Sequence, residues 1–175
     1  EVFLSDLLLK KKKSQDSNNT NSLGTQTIAT SFITFFLEWI DRGELIGLGL
    51  PNGTFEPFHL HLMKGCILFE SILKLRKPNT KGKQTIDTYI SSHHKELGFG
   101  ADNFRLSGRS FPEVVKNWEN KNARTITEAI EVSAQIRNTI SHTFDSDVKI
   151  TPIGYQSIAS AISSACFQAI LLKQK

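Results

Sequence analysis

Apolar residues recur along this chain at helical spacing, and the breaks between them fall on glycine, proline and polar runs. From about Thr25 to Asp41, Ile28, Phe32, Phe35, Phe36, Trp39 and Ile40 fall on one stripe, which predicts an amphipathic helix. Gly43, Gly47, Gly49, Pro51 and Gly53 then read as its end. A second helix starts near Pro57, a residue suited to a first turn. It stops before Pro78, because the residue ahead of a proline disfavours helical geometry. Its apolar positions nearly encircle the axis, the pattern of a helix at the centre of a bundle. Ile86 to Leu97 predicts a shorter helix, and Glu113 to Glu119 another after Pro112. Thr125 opens a further long helix, with Glu128 three residues on as a capping box and an end around Phe144 to Ser146. Tyr155 to Leu172 is the last, where Ala159, Ser160, Ala161, Ser163, Ser164 and Ala165 permit close packing. No stretch reads as a strand and no repeat is visible. The expected fold is all-α, a bundle of four to five main helices with an irregular insertion between Lys77 and Arg124.

A length of 175 residues suits one well-buried core and is short for two. Residues 2 to 9 are mostly apolar and end in four lysines, Lys10 to Lys13, ahead of the polar run SQDSNNTNSLG. The expected division is therefore residues 1–24 as an N-terminal helix, basic run and linker, and 25–175 as the helical domain. Lysines there suit a solvated helix end, and phosphate binding is the alternative. No segment is apolar enough for a membrane span. No secretory signal pattern is present, because LSDLLL precedes its lysines. The chain opens on Glu1 and not on methionine, which leaves room for trimming upstream.

Charge narrows the partner class. A formal charge of +4 and a pI near 9.1 favour a polyanion, nucleic acid first among them. Cys66 and Cys166 each sit in an apolar helical pattern and read as two buried free thiols, which points to a reducing, cytoplasmic compartment.

The chemistry concentrates in QIRNTISHTF, residues 135 to 144. On the helix opened by Thr125, the core stripe is Ile126, Ile130 (or Ala129), Ser133, Ile136, Ile140 and Phe144. His142 lies two residues from Ile140, about 200° round the axis, and points away from that core. Asn138, four residues earlier, shares its face. Arg137 precedes His142 by five residues, so their directions diverge by roughly 140°, a gap that a second copy of the chain would cover. Glu70, in FESILK, is a candidate for a partly buried carboxylate near the bundle centre, with Arg137 as one available partner, a placement that the sequence does not fix. The plain alternative is a surface histidine that suits the dipole at a helix end.

RNTISH, residues 137 to 142, resembles the Arg-x4–6-His motif of HEPN domains, the helical family named for higher eukaryote and prokaryote nucleotide binding. The family often carries a polar residue directly after the arginine, as Asn138 is here, and places the motif near the end of the penultimate long helix. The resemblance covers residues 25 to 175 in architecture and six residues in motif. It implies a HEPN-like bundle and a metal-independent endoribonuclease that works as a homodimer, with two motifs meeting between protomers. By the same resemblance, His142 would transfer a proton at the ribose 2′-hydroxyl or the leaving 5′-oxygen. Arg137 would bind the scissile phosphate, and Asn138 would orient the histidine or bond a phosphate oxygen. RNA is the implied substrate, with no cofactor, in a prokaryotic toxin or antiviral defence setting and with an inhibitory antitoxin protein as a further partner. Within the family the alternative is a non-catalytic module that binds RNA, nucleotide or a protein. A further alternative is a helical scaffold in which Arg137 and His142 are incidental.

Other polar clusters read as structural. His59 and His61 are two residues apart and diverge on a helix, so they do not share a metal. His93, His94 and Glu96 form a polar helix face without a further ligand nearby. GLGLPNG lacks both a dinucleotide spacing and a P-loop lysine, and Ser141 lacks the context of a nucleophile elbow.

Overall fold

The computed structural model describes residues 20–47, 56–76, 85–97, 110–120, 130, 132–138 and 150–172. Among the described residues there are six helices and no strand, so the fold is an all-α bundle. They are α1 (Thr20–Gly47), α2 (Glu56–Arg76), α3 (Ile86–Ser92), α4 (Phe111–Glu119), α5 (132–138) and α6 (Pro152–Leu171).

Helix α2 is the central element, packed on α6, α1 and α3. Side-chain contacts give the directions. His61 meets Tyr155 and Arg76 meets Leu172, so α2 and α6 run parallel. Phe32 meets Phe167 and Trp39 meets Gln156, so α1 runs antiparallel to α6. Leu62, Cys66, Phe69, Ile72 and Leu73 of α2 are fully buried, as are Ile158, Ile162, Ala165 and Cys166 of α6. Leu60 and Ile67 face solvent, so the apolar ring read from the sequence has one open side. Three helices converge at Gly65. A Cβ there would lie 2.7 Å from both Ile162 Cγ2 of α6 and Phe35 Cζ of α1, so the absence of a side chain sets the spacing. Of the small residues expected to admit a neighbour, Ala159, Ala161, Ser163 and Ala165 are buried, whereas Ser160 is exposed.

Helix α1 departs from expectation at both ends. It begins at Thr20, not Thr25, and continues past Asp41 to Gly47. Gly43 therefore lies inside a helix instead of ending one. Its place faces α6, where a Cβ would stand 2.7 Å from Gln156 Nε2. A helical glycine costs only about 1 kcal/mol relative to alanine, which tertiary packing can offset. Ile40 is 59% exposed, so it is not part of the core stripe. It lies about 80° round the axis from Phe32, at the margin of the face that Phe32 and Phe35 bury.

The shorter helices show how local chemistry sets ends. Helix α3 stops at Ser92, five residues short of the expected Leu97, and turns follow to Leu97. The His93 N–H is shared between the Tyr89 and Ile90 carbonyls, and His94 Nδ1 donates to the Ser91 carbonyl at 2.7 Å, which closes the last turn. Helix α4 starts two residues before Glu113, because the Ser110 N–H donates to the Glu113 carboxylate at 2.9 Å in a capping box. Helix α6 starts three residues before Tyr155. Thr151 Oγ1 accepts from the Gly154 N–H at 2.9 Å and donates to Glu119 Oε1 of α4 at 2.7 Å. Trp118 of α4 adds a bond from its indole N–H to Ser157 Oγ at 3.0 Å. The apolar and lysine-rich start of the chain, the linker up to residue 19, GLGLPNG beyond Gly47 and the cap expected at Thr125 and Glu128 lie outside the described residues. Residues 20–24, expected as linker, instead form the start of α1, so the boundary expected between 24 and 25 falls inside a helix. No helix among the described residues is long and apolar enough to cross a membrane.

Candidate functional site

Helix α5 is buried nearly all round before it reaches the surface. Ile130, Ser133, Ala134 and Ile136 are fully enclosed, and Val132 and Gln135 nearly so. Of the expected stripe, Ile130, Ser133 and Ile136 are thus in the core, and Ile126, Ile140 and Phe144 lie outside the described residues. Arg137 and Asn138 follow immediately and are half-buried.

The geometry at that point is set by Glu70 of α2, which is 6% exposed. A carboxylate enclosed this far needs paired donors to offset its loss of water. Each oxygen has one. Arg137 Nε donates to Oε2 at 2.6 Å, and Lys74 Nζ, one turn further along α2, donates to Oε1 at 2.5 Å. Arg137 Nη1 also donates to Asn138 Oδ1 at 3.3 Å. Lys74 Nζ stands 5.9 Å from the centroid of the buried Tyr89 ring on α3, within cation–π range. The side chain of Arg137 keeps 29% of its surface exposed and that of Lys74 41%, so both cations open to solvent above a covered anion. Two cations on one carboxylate leave one net positive charge. Nη2 of Arg137 has no partner among the described residues. That guanidinium edge and Lys74 can accept an anion.

The pairing of Glu70 with Arg137, which the sequence left open, is present. His142 and Ser141 lie outside the described residues. Asn138 bonds Arg137, a contact the sequence reading did not assign to it. Lys74 was missed, although its i,i+4 relation to Glu70 was a usable signal.

The remaining polar groups serve the core. His61 Nε2 lies 2.9 Å from the Phe35 carbonyl, which only accepts, so this nitrogen carries the proton. Nδ1 is then the acceptor for the Tyr155 hydroxyl at 2.8 Å. The ring stacks on Phe35 with centroids 4.3 Å apart. Burial pulls the His61 pKa down to about 4, so it is neutral near pH 7, and burial pushes the Tyr155 phenol well up. His59 is buried like His61. His93 Nδ1 sits 3.6 Å from Glu96 Oε1. Among the described residues, no group of three or more His, Cys, Asp or Glu side chains is arranged to hold a metal ion. Cys66 and Cys166 are free and fully buried, and burial raises both thiol pKa values.

Compared with family models, curated proteins and solved structures, the chain matches none. The functional reading therefore rests on the residues themselves.

Proposed function

We propose that this chain is a HEPN-type endoribonuclease, cleaving RNA without a metal through Arg137, Asn138 and His142 in a site completed by a second copy. The observation that carries the reading is the arginine. A helix buried through Ile136 surfaces at Arg137, whose guanidinium is fixed by a covered carboxylate and whose side chain stays 29% exposed. Such a group is preorganised to hold a phosphate and costs little reorganisation during reaction. In the proposed reaction the ribose 2′-oxygen attacks phosphorus and the P–O5′ bond breaks. A proton leaves the 2′-hydroxyl and one arrives on the 5′-oxygen, with His142 serving one of these transfers. Arg137 stabilises the added negative charge, and Asn138 holds its Nη1 donor. The requirement for a 2′-hydroxyl restricts the substrate to RNA. A HEPN-like form of the bundle, a homodimer, a toxin or defence role, an antitoxin partner and a cytoplasmic location belong to the same proposal.

The Glu70 contact also favours a second reading, a non-catalytic module in which Arg137 ties α5 to α2. Arg137→Lys separates the two, because lysine keeps the charge but loses the planar fork. Catalysis predicts that single-stranded RNA cleavage falls by about 10²- to 10³-fold, with melting temperature nearly unchanged. An all-deoxy oligonucleotide should remain intact. Wild-type protein that binds RNA and does not cut it supports the module instead.

A further inference from the structure

Resting on that reading, we infer that the RNA site extends onto α2, where Glu70 positions Arg137 and Lys74 contacts a second backbone phosphate. Glu70 engages Arg137 through Nε, at the side of the guanidinium, which leaves donors at the Nη end for other partners. Asn138 fixes that end at Nη1. A guanidinium held at two points loses little freedom when an anion arrives. Lys74 is held at the opposite oxygen of the same carboxylate, and the Tyr89 ring supports it from α3. One carboxylate thus sets the spacing of two cations, and its single charge leaves their surplus for the ligand. A polyanion with regularly spaced phosphates fits this pair better than an isolated anion, because each cation can meet its own phosphate. Lysine is suited to the second role as a flexible point charge that carries no base preference.

A purely structural role makes a different forecast. Lys74 lies in the last turn of α2, where a cation suits the helix dipole, and an i,i+4 pair with Glu70 supports the helix. On that account its removal changes melting and leaves RNA affinity alone.

The test measures affinity for a single-stranded RNA oligomer by fluorescence anisotropy across a salt series, alongside steady-state cleavage. Lys74→Gln should weaken binding and flatten the slope of log K against log salt by about 0.7, the loss of one single-strand phosphate contact. Lys64→Gln is the control. Lys64 lies about 15 Å back along the same helix and pairs with Glu38 of α1, so its substitution should leave the slope unchanged. Glu70→Gln should lower kcat by about 10- to 100-fold, the effect of a misplaced reacting group, with a smaller change in KM. Glu70→Asp should restore part of that loss. If the wild type cleaves but Lys74→Gln keeps the wild-type slope, or Glu70→Gln keeps its kcat, the extension onto α2 is wrong. If the wild type neither binds nor cleaves RNA, the ribonuclease reading itself fails, and this inference with it.

Discussion

Replacing Gly65 with alanine tests the packing that holds the candidate site in place. In an exposed helix the change would stabilise by about 1 kcal/mol, because alanine is the better helix former. At this position the new methyl has no room. It would stand 2.7 Å from Ile162 Cγ2 and from Phe35 Cζ, and closer still to Phe35 Cε2. The ring cannot step aside readily. Phe35 is fully buried, stacked on His61, and its own carbonyl accepts from His61 Nε2. Overpacking a core costs about 1–3 kcal/mol, and this locked setting belongs at the upper end. Net destabilisation of about 2 kcal/mol follows, which lowers the melting temperature by roughly 4–8 °C in a chain of this size. Thermal melting by circular dichroism reads the effect. Phe35→Leu in the same chain should recover part of it, because the two sites share the contact. A Gly65→Ala protein that melts a few degrees higher than wild type would show that α1, α2 and α6 do not meet as described.

Acid should destabilise the fold through His61. Its folded pKa of about 4 lies below the ordinary 6.5, so between those values the unfolded chain binds a proton that the folded chain refuses. The contribution is complete above about pH 6.5 and is lost as pH falls through 4, amounting to about 3 kcal/mol. Melting curves from pH 7 to 4.5 should therefore be steeper for wild type than for His61→Gln, and equal slopes would contradict the assignment. A homodimer is expected in light scattering at micromolar concentration, since the five-residue spacing of Arg137 and His142 would make them diverge on an ideal helix, and a second copy would bring the two together. A clean monomer would remove support for the composite site.

What could be read from the sequence depended on how local each cause was. The bounds of α2 were legible because Pro57 and Pro78 act on their immediate neighbours. The Ser110 and Glu113 cap is equally local and carries the same capping-box pattern as Thr125 and Glu128, but ahead of a shorter apolar run. The end of α1 is not legible from its glycines, because Gly43 answers to Gln156 more than a hundred residues away. Ile40 falls outside the core for a related reason: periodicity identifies a stripe but not its width, which the neighbouring helix decides. Arg137 and Asn138 could be singled out by residue type and spacing. Their surroundings could not be, because the pairing with Glu70 spans 67 positions. Residue chemistry suggested that contact, and only the fold could bring the two side chains together.

The most direct test of the ribonuclease reading is cleavage of single-stranded RNA by wild type and His142→Ala, each in excess chelator with melting as a folding control. Proton transfer by His142 without a metal predicts that the wild type stays active in chelator and leaves 2′,3′-cyclic phosphate and 5′-hydroxyl ends. His142→Ala should lose at least about 10²-fold in rate, the usual contribution of one positioned acid or base. Full activity in a folded His142→Ala protein, or wild-type cleavage abolished by chelator and restored by zinc, would contradict it.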